Sequence, residues 1–148
     1  MSEASRERYW PAGVRRDIRP LPRTMCEALR NSAARAPDRT ALVFYGREIS
    51  YRGLLADVEA LAGWIQHEVG AAPGDRILLD MQNSPQFIIA FQAILRAGCV
   101  VVPVNPMSLA GEIAYMAEDS GARRIAQAEL LSNASDVDGP SLTATGLR

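Results

Sequence analysis

Lysine is missing altogether: each of the 16 basic residues in this 148-residue chain is an arginine. That absence excludes a phosphate loop of the lysine-bearing kind, a Schiff-base lysine and any catalytic lysine. Cysteine is scarce too. Cys26 and Cys99 stand far apart, with no CxxC or zinc-like spacing, so both read as free thiols. The one histidine, His67, has no ligand-spaced neighbour and reads as a solvated side chain rather than a metal ligand. No apolar run approaches the roughly 20 residues that cross a bilayer, and the opening MSEASRERYW has no apolar signal core. No transmembrane segment is expected, and a cytoplasmic location is. Neither sign of charge dominates: the net charge of -1 and a pI near 5.8 give nucleic acid no basic field to bind.

What is present is ordinary globular material, 48% hydrophobic and 22% charged, enough for one sizeable core. Residues 1–23 read as an irregular basic extension. Pro11, Gly13, Pro20 and Pro22 interrupt any helix there, and Tyr9 and Trp10 suit contact with the body of the protein better than a membrane surface. A helix is predicted over 24–36, because Thr24 and Glu27 have capping-box spacing, Met25, Leu29, Ala33 and Ala36 share a face, and Pro37 stops it. TALVFYGREISY predicts a hairpin turning at Gly46 and Arg47. Ser50 then caps a helix whose stripe runs Tyr51, Leu54, Val58, Leu61, Ile65, Val69, with Gly70 ending it.

From Pro73 the pattern becomes parallel α/β. A strand over 76–81 leads to a helix capped by Ser84, begun by Pro85 and closed by Gly98, with Phe87, Phe91, Ile94 and Leu95 on its apolar side. CVVVPV reads as a strand covered on both faces, opened by a buried Cys99. Ser108 is expected to start the next helix, which Gly121 ends, and RRIAQA supplies a third strand. The fold class is therefore α/β, a partial parallel βαβαβ sheet with flanking helices, preceded by a helix and a β-hairpin. After Leu131 the wording SNASDVDGPSLTATGLR has nothing to bury, so 132–148 is expected to be a flexible tail.

In such sheets ligands bind beyond the carboxyl ends of the strands, which makes residues 82–84 and 105–108 the candidate loops. Both precede helix N-termini, where amides and the dipole favour anions. The first loop has no glycine, so its backbone cannot wrap a pyrophosphate; Ser84 and Ser108 read as caps, and Asn105 as a turn residue. Glu118 and Asp119 are adjacent on a helix and point apart, which makes them a solvated face rather than an acid/base pair. Asp75 and Asp80 flank a strand, but the receiver-domain reading that Asp80 suggests needs a lysine. Cys26, in a helix's first turn, could have its pKa lowered by the dipole, but with no base in view it reads as inert.

Residues 73–122 read PGDRILLDMQNSPQFIIAFQAILRAGCVVVPVNPMSLAGEIAYMAEDSGA. The order and wording of these blocks resemble the N-terminal region of AMP-forming acyl-CoA ligases, especially the long-chain fatty acid branch, and the likeness extends from about Tyr9 to Leu131. RYWPAGV also resembles that branch's lead-in, with Arg15 where proline is common, and Gly111 replaces a more usual Glu. The resemblance implies a reaction in which a fatty acid and ATP give acyl-adenylate and pyrophosphate, and CoA then takes the acyl group, with Mg²⁺ support. It also implies that the nucleotide site lies in a Ser/Thr/Gly-rich loop ending in Pro-Lys-Gly, in later Thr-Glu, Asp and Arg segments, and in a C-terminal domain with its lysine. None of these matches here. Thr143, Thr145 and Gly146 imitate the first loop's composition, but no Pro-Lys-Gly follows. Residues 24–131 are thus expected to be an incomplete N-terminal ligase domain, a scaffold inactive alone, with no catalytic, cofactor-binding or metal-binding residue of its own. Its expected partners are the rest of the ligase or a second copy met through an open sheet edge. The rival readings are a stand-alone interaction domain and, less well supported by the glycine-free loop, a small nucleotide-binding protein.

Overall fold

The computed structural model describes residues 22–124 together with Pro11, Gly13 and Val14. The expected strand positions 125–128, the tail, and most of the basic extension lie outside these residues. The first element, α1 (Met25–Arg35), begins with the predicted capping box: Thr24 Oγ1 accepts the Glu27 amide at 3.2 Å, and Glu27 Oε2 accepts the Thr24 amide at 2.6 Å. That bond holds the Glu27 carboxyl below its ordinary pKa. Leu29 and Ala33 are buried, whereas Met25 lies exposed, so the apolar stripe turns inward only from the second turn.

Strands β1 (Thr40–Phe44) and β2 (Arg47–Ser50) form the antiparallel hairpin. Phe44 pairs with Arg47 across a two-residue turn of Tyr45 and Gly46, whose φ values are 46° and 81°. The turn is therefore one residue earlier than predicted. Positive φ at both central positions is the type I′ pattern, whose twist suits a hairpin, and it releases Arg47 into the ladder. Gly46 takes its conformation without cost, while Tyr45 is a bulky residue in left-handed space.

Helix α2 (Tyr51–His67) starts where expected, with Ser50 Oγ accepting the Gly53 amide at 3.2 Å. It buries Leu54, Val58, Ala62, Trp64 and Ile65. Strand β3 (Arg76–Asp80), helix α3 (Pro85–Arg96), strand β4 (Val100–Val104), helix α4 (Ala110–Ser120) and the short strand β5 (Arg123–Arg124) complete the described chain. The parallel sheet has the order β4-β3-β5. Because β3 is central, Ile77, Leu78 and Leu79 are all buried, and it is β3 that has cover on both faces. Strand β4, read from its wording as the covered one, lies at an edge, with Val100 47% exposed and Pro103 exposed.

Two cores of unequal size flank this sheet. On one face Ile65, Ile77, Leu79 and Ile94 are wholly buried among residues from α1, α2, α3 and the strands. On the other, among the described residues, α4 covers Leu78 and Val104 with Ile113, supported by Met116, Ala117 and Ala122. Helices α2 and α3 are tied by Arg96 Nε to Glu59 Oε1 at 2.9 Å, a half-exposed pair of modest worth, about 0.5 kcal/mol.

Candidate functional site

The loops beyond the carboxyl ends of β3 and β4 are the places where an open α/β sheet would hold a ligand. At the first, Met81 is buried, Gln82 and Asn83 are exposed, and Ser84 is extended with φ -152°. Ser84 Oγ accepts the Phe87 amide at 3.3 Å, the cap expected of it. Pro85 has no amide to offer. Of the first three helical residues, only Gln86 keeps an N–H for an anion, too few donors for a phosphate group.

The second loop consumes its donors more completely. Asn105 Oδ1 accepts the Met107 amide at 3.0 Å, closing the side-chain turn expected of an Asn before Pro, and the Asn105 carbonyl accepts the Ser108 amide at 2.9 Å. The Leu109 amide donates to Glu112 Oε2 at 2.8 Å. Three consecutive amides are thereby spent within the loop. Glu112 also places its negative charge at the positive end of α4, where it repels a second anion. Helix α4 begins at Ala110 with Leu109 as N-cap, so Ser108 is not the residue that starts it. The sequence signal for this was an acid three residues after the N-cap, visible at Glu112 once Leu109 rather than Ser108 holds that position. Beside it lies an open groove of about 430 Å³ lined by Ser108, Gly111, Glu112, Tyr115 and Met116.

The other candidate side chains do not converge. His67 is exposed at the end of α2, and Glu118 and Asp119 are exposed on α4. Asp75 Oδ2 accepts the Ala72 amide at 3.0 Å, and Asp80 is half-buried at the end of β3. Among the described residues no three of His, Cys, Asp and Glu are grouped to hold a metal ion. Cys99 is buried, its thiol directed at the Ala72 carbonyl 3.5 Å away. Cys26 sits against α3, 3.8 Å from the Gln92 carbonyl. Burial pushes its thiol pKa up, outweighing the opposite pull of Arg96, so it is a poor nucleophile at neutral pH. Sequence reasoning did not find the polar seam around this thiol: Glu59 and Arg96 are far apart in the chain, and only helix contact brings them together. Tyr9, Trp10, Thr143, Thr145 and Gly146 lie outside the described residues.

Comparison with known proteins places this fold in a family. Residues 29–145 match the family described as AMP-binding enzyme. A long-chain-fatty-acid–CoA ligase of Bacillus subtilis is 36% identical over 129 residues, covering 84% of this chain and 23% of that protein. The corresponding ligase of Salmonella typhimurium is 36% identical over 117 residues, covering 78% of this chain and 21% of that protein. Among solved structures, the N-terminal subdomain of Klebsiella oxytoca NpsA in complex with 3-hydroxyanthranilyl-AMSN superposes with a TM-score of 0.68 at 28% identity, over 79% of this chain and 33% of that one. The chain therefore spans about a quarter of the length of the ligases it matches. It belongs to the AMP-binding enzyme family, as a match to the N-terminal part of long-chain fatty acid–CoA ligases.

Proposed function

We propose that this chain is the N-terminal scaffold segment of an AMP-forming long-chain fatty acid–CoA ligase, and that it has no ligase activity alone. The whole enzyme would join a fatty acid to ATP, release pyrophosphate and pass the acyl group from AMP to CoA. ATP, CoA and Mg²⁺ belong to that larger assembly. The observation that carries the reading is the internal use of the Met107, Ser108 and Leu109 amides beneath the Glu112 carboxylate. With no lysine in the chain, ATP phosphates do not fit either loop, and no step of the reaction is assigned to these residues.

In this reading residues 24–131 form an incomplete domain between a basic extension and a tail, and their partner is the rest of the ligase or a second copy. The ligase reading carries a cytoplasmic location with it. Two measurements on the 148-residue chain test the proposal. Pyrophosphate exchange with ATP and a panel of fatty acids should not exceed a heat-killed control, and calorimetry with ATP and Mg²⁺ should give no micromolar binding. Turnover, or a micromolar dissociation constant, would overturn it.

A further inference from the structure

We infer that the tip of the β1–β2 hairpin is a membrane-surface contact, with Tyr45 seated at the boundary between lipid tails and headgroups and Arg47 on a lipid phosphate. The hairpin is a two-stranded sheet separate from the parallel one, and its base is fixed. Ala41, Leu42 and Ile49 pack on the larger core, and Thr40 Oγ1 donates to Glu48 Oε2 at 2.6 Å. The tip has no such cover. Tyr45 is 90% exposed, more than any other large apolar side chain among the described residues, and Val43 beside it is 67% exposed. The half-buried Phe44 meets Tyr45 edge-on, with ring centroids 4.6 Å apart, which fixes where the tyrosine ring stands.

Local stability does not explain the residue. Tyr45 has φ 46°, a conformation that a type I′ turn fills most easily with Asn before Gly, and a bulky ring held there is strained while shielding none of the core. Strain kept in an exposed aromatic is a sign of a contact made outside the fold. Charge selects the occupant. Arg47 is exposed, stands opposite Phe44 in the ladder, and has no ion pair among the described residues. The acid next to it, Glu48, is drawn back by Thr40 toward the base of the hairpin, which leaves the guanidinium as the charge nearest the turn. A convex tip that offers an aromatic ring with a hydroxyl, beside an unpaired arginine, fits a surface that is apolar within and anionic outside: an acidic phospholipid bilayer.

Sedimentation of the 148-residue chain with vesicles of phosphatidylcholine alone, and of equal parts phosphatidylcholine and phosphatidylglycerol, tests the inference. Wild type should bind the anionic vesicles more tightly than the neutral ones. Tyr45→Asn should weaken that binding about fivefold and at the same time raise the melting temperature, because asparagine takes the turn's φ with less strain. Those opposite movements separate a surface contact from a role in folding. Arg47→Gln should weaken binding to the anionic vesicles by about the same factor and leave the neutral ones unaffected. Binding that survives both variants belongs to another part of the chain, such as the basic extension, and overturns the inference, as does the absence of binding by wild type. Nitration by tetranitromethane, mapped by mass spectrometry, decides whether polypeptide is the occupant instead. Tyr45 should react first in the free chain and be shielded when anionic vesicles are added, whereas protection of Tyr45 without vesicles would show that protein covers it and overturn the membrane contact.

Discussion

Gly98 has φ +83°, and a Cβ built on it would stand 3.3 Å from Cβ of Pro73. Its backbone carbonyl accepts the Gly74 amide at 2.8 Å, so the end of α3 and the lead into β3 are held together at this point. Gly98→Ala adds left-handed strain and a close contact, and should destabilise the chain by about 1–2 kcal/mol in urea titration. Asp57, half-buried on α2, behaves differently. Burial raises its pKa, so the folded state binds its proton more tightly than the unfolded chain, and stability falls as pH rises through the folded value. Asp57→Asn should raise the melting temperature at neutral pH and leave it little changed below the carboxylate range. The same rise at both pH values would show that the charge is not the cause. Residues that act within three or four positions of themselves were legible in the sequence: Thr24 with Glu27, Ser50, Ser84 and Asn105 all hold the bonds their spacing predicts. Asp57 was not, because burial is conferred by elements remote in the chain.

At the scale of elements, the sequence order of helix, hairpin, helix and βαβαβ was readable from periodicity and punctuation, and the boundaries moved by only a residue or two. The assignment of cover to β4 failed for a clear reason. A run such as CVVVPV shows that a strand is apolar, but strand order decides which strand is central, and order depends on how the crossovers place β3 between its partners. The proline within that run was the available signal for an edge. In helix α3 Ile94 is wholly buried and Phe87 and Phe91 pack half-buried against the same core, as their apolar pattern suggests; the fully buried side also takes in Ala90 and Ala93, small residues that let α3 approach its neighbours closely. Ile94 is therefore the anchor of the larger core. Ile94→Ala should cost about 2–5 kcal/mol by chemical denaturation, whereas Phe87→Ala, from a half-buried ring, should cost less. Equal losses would show that the aromatic side carries as much of the core as the isoleucine.

At the scale of the whole molecule, the family was legible because several blocks occur in order, while the chemical state of its loops was not. No spacing rule shows that three successive amides beside Glu112 are already engaged; that needed the loop's path. The two cores also give the molecule an uneven mechanical character. Among the described residues, sixteen buried ones belong to the core on one face of the sheet and three to the core under α4. Opening should therefore begin at α4, in a local event that leaves the three-helix side intact. Limited proteolysis would register it as an early cut in the exposed stretch 105–107, yielding an N-terminal product that resists further digestion. Simultaneous loss of all fragments would mean that the thin side and the thick side open as one. A chain built in this way carries its own weak seam, and the half of the fold that breathes most readily is the half under α4.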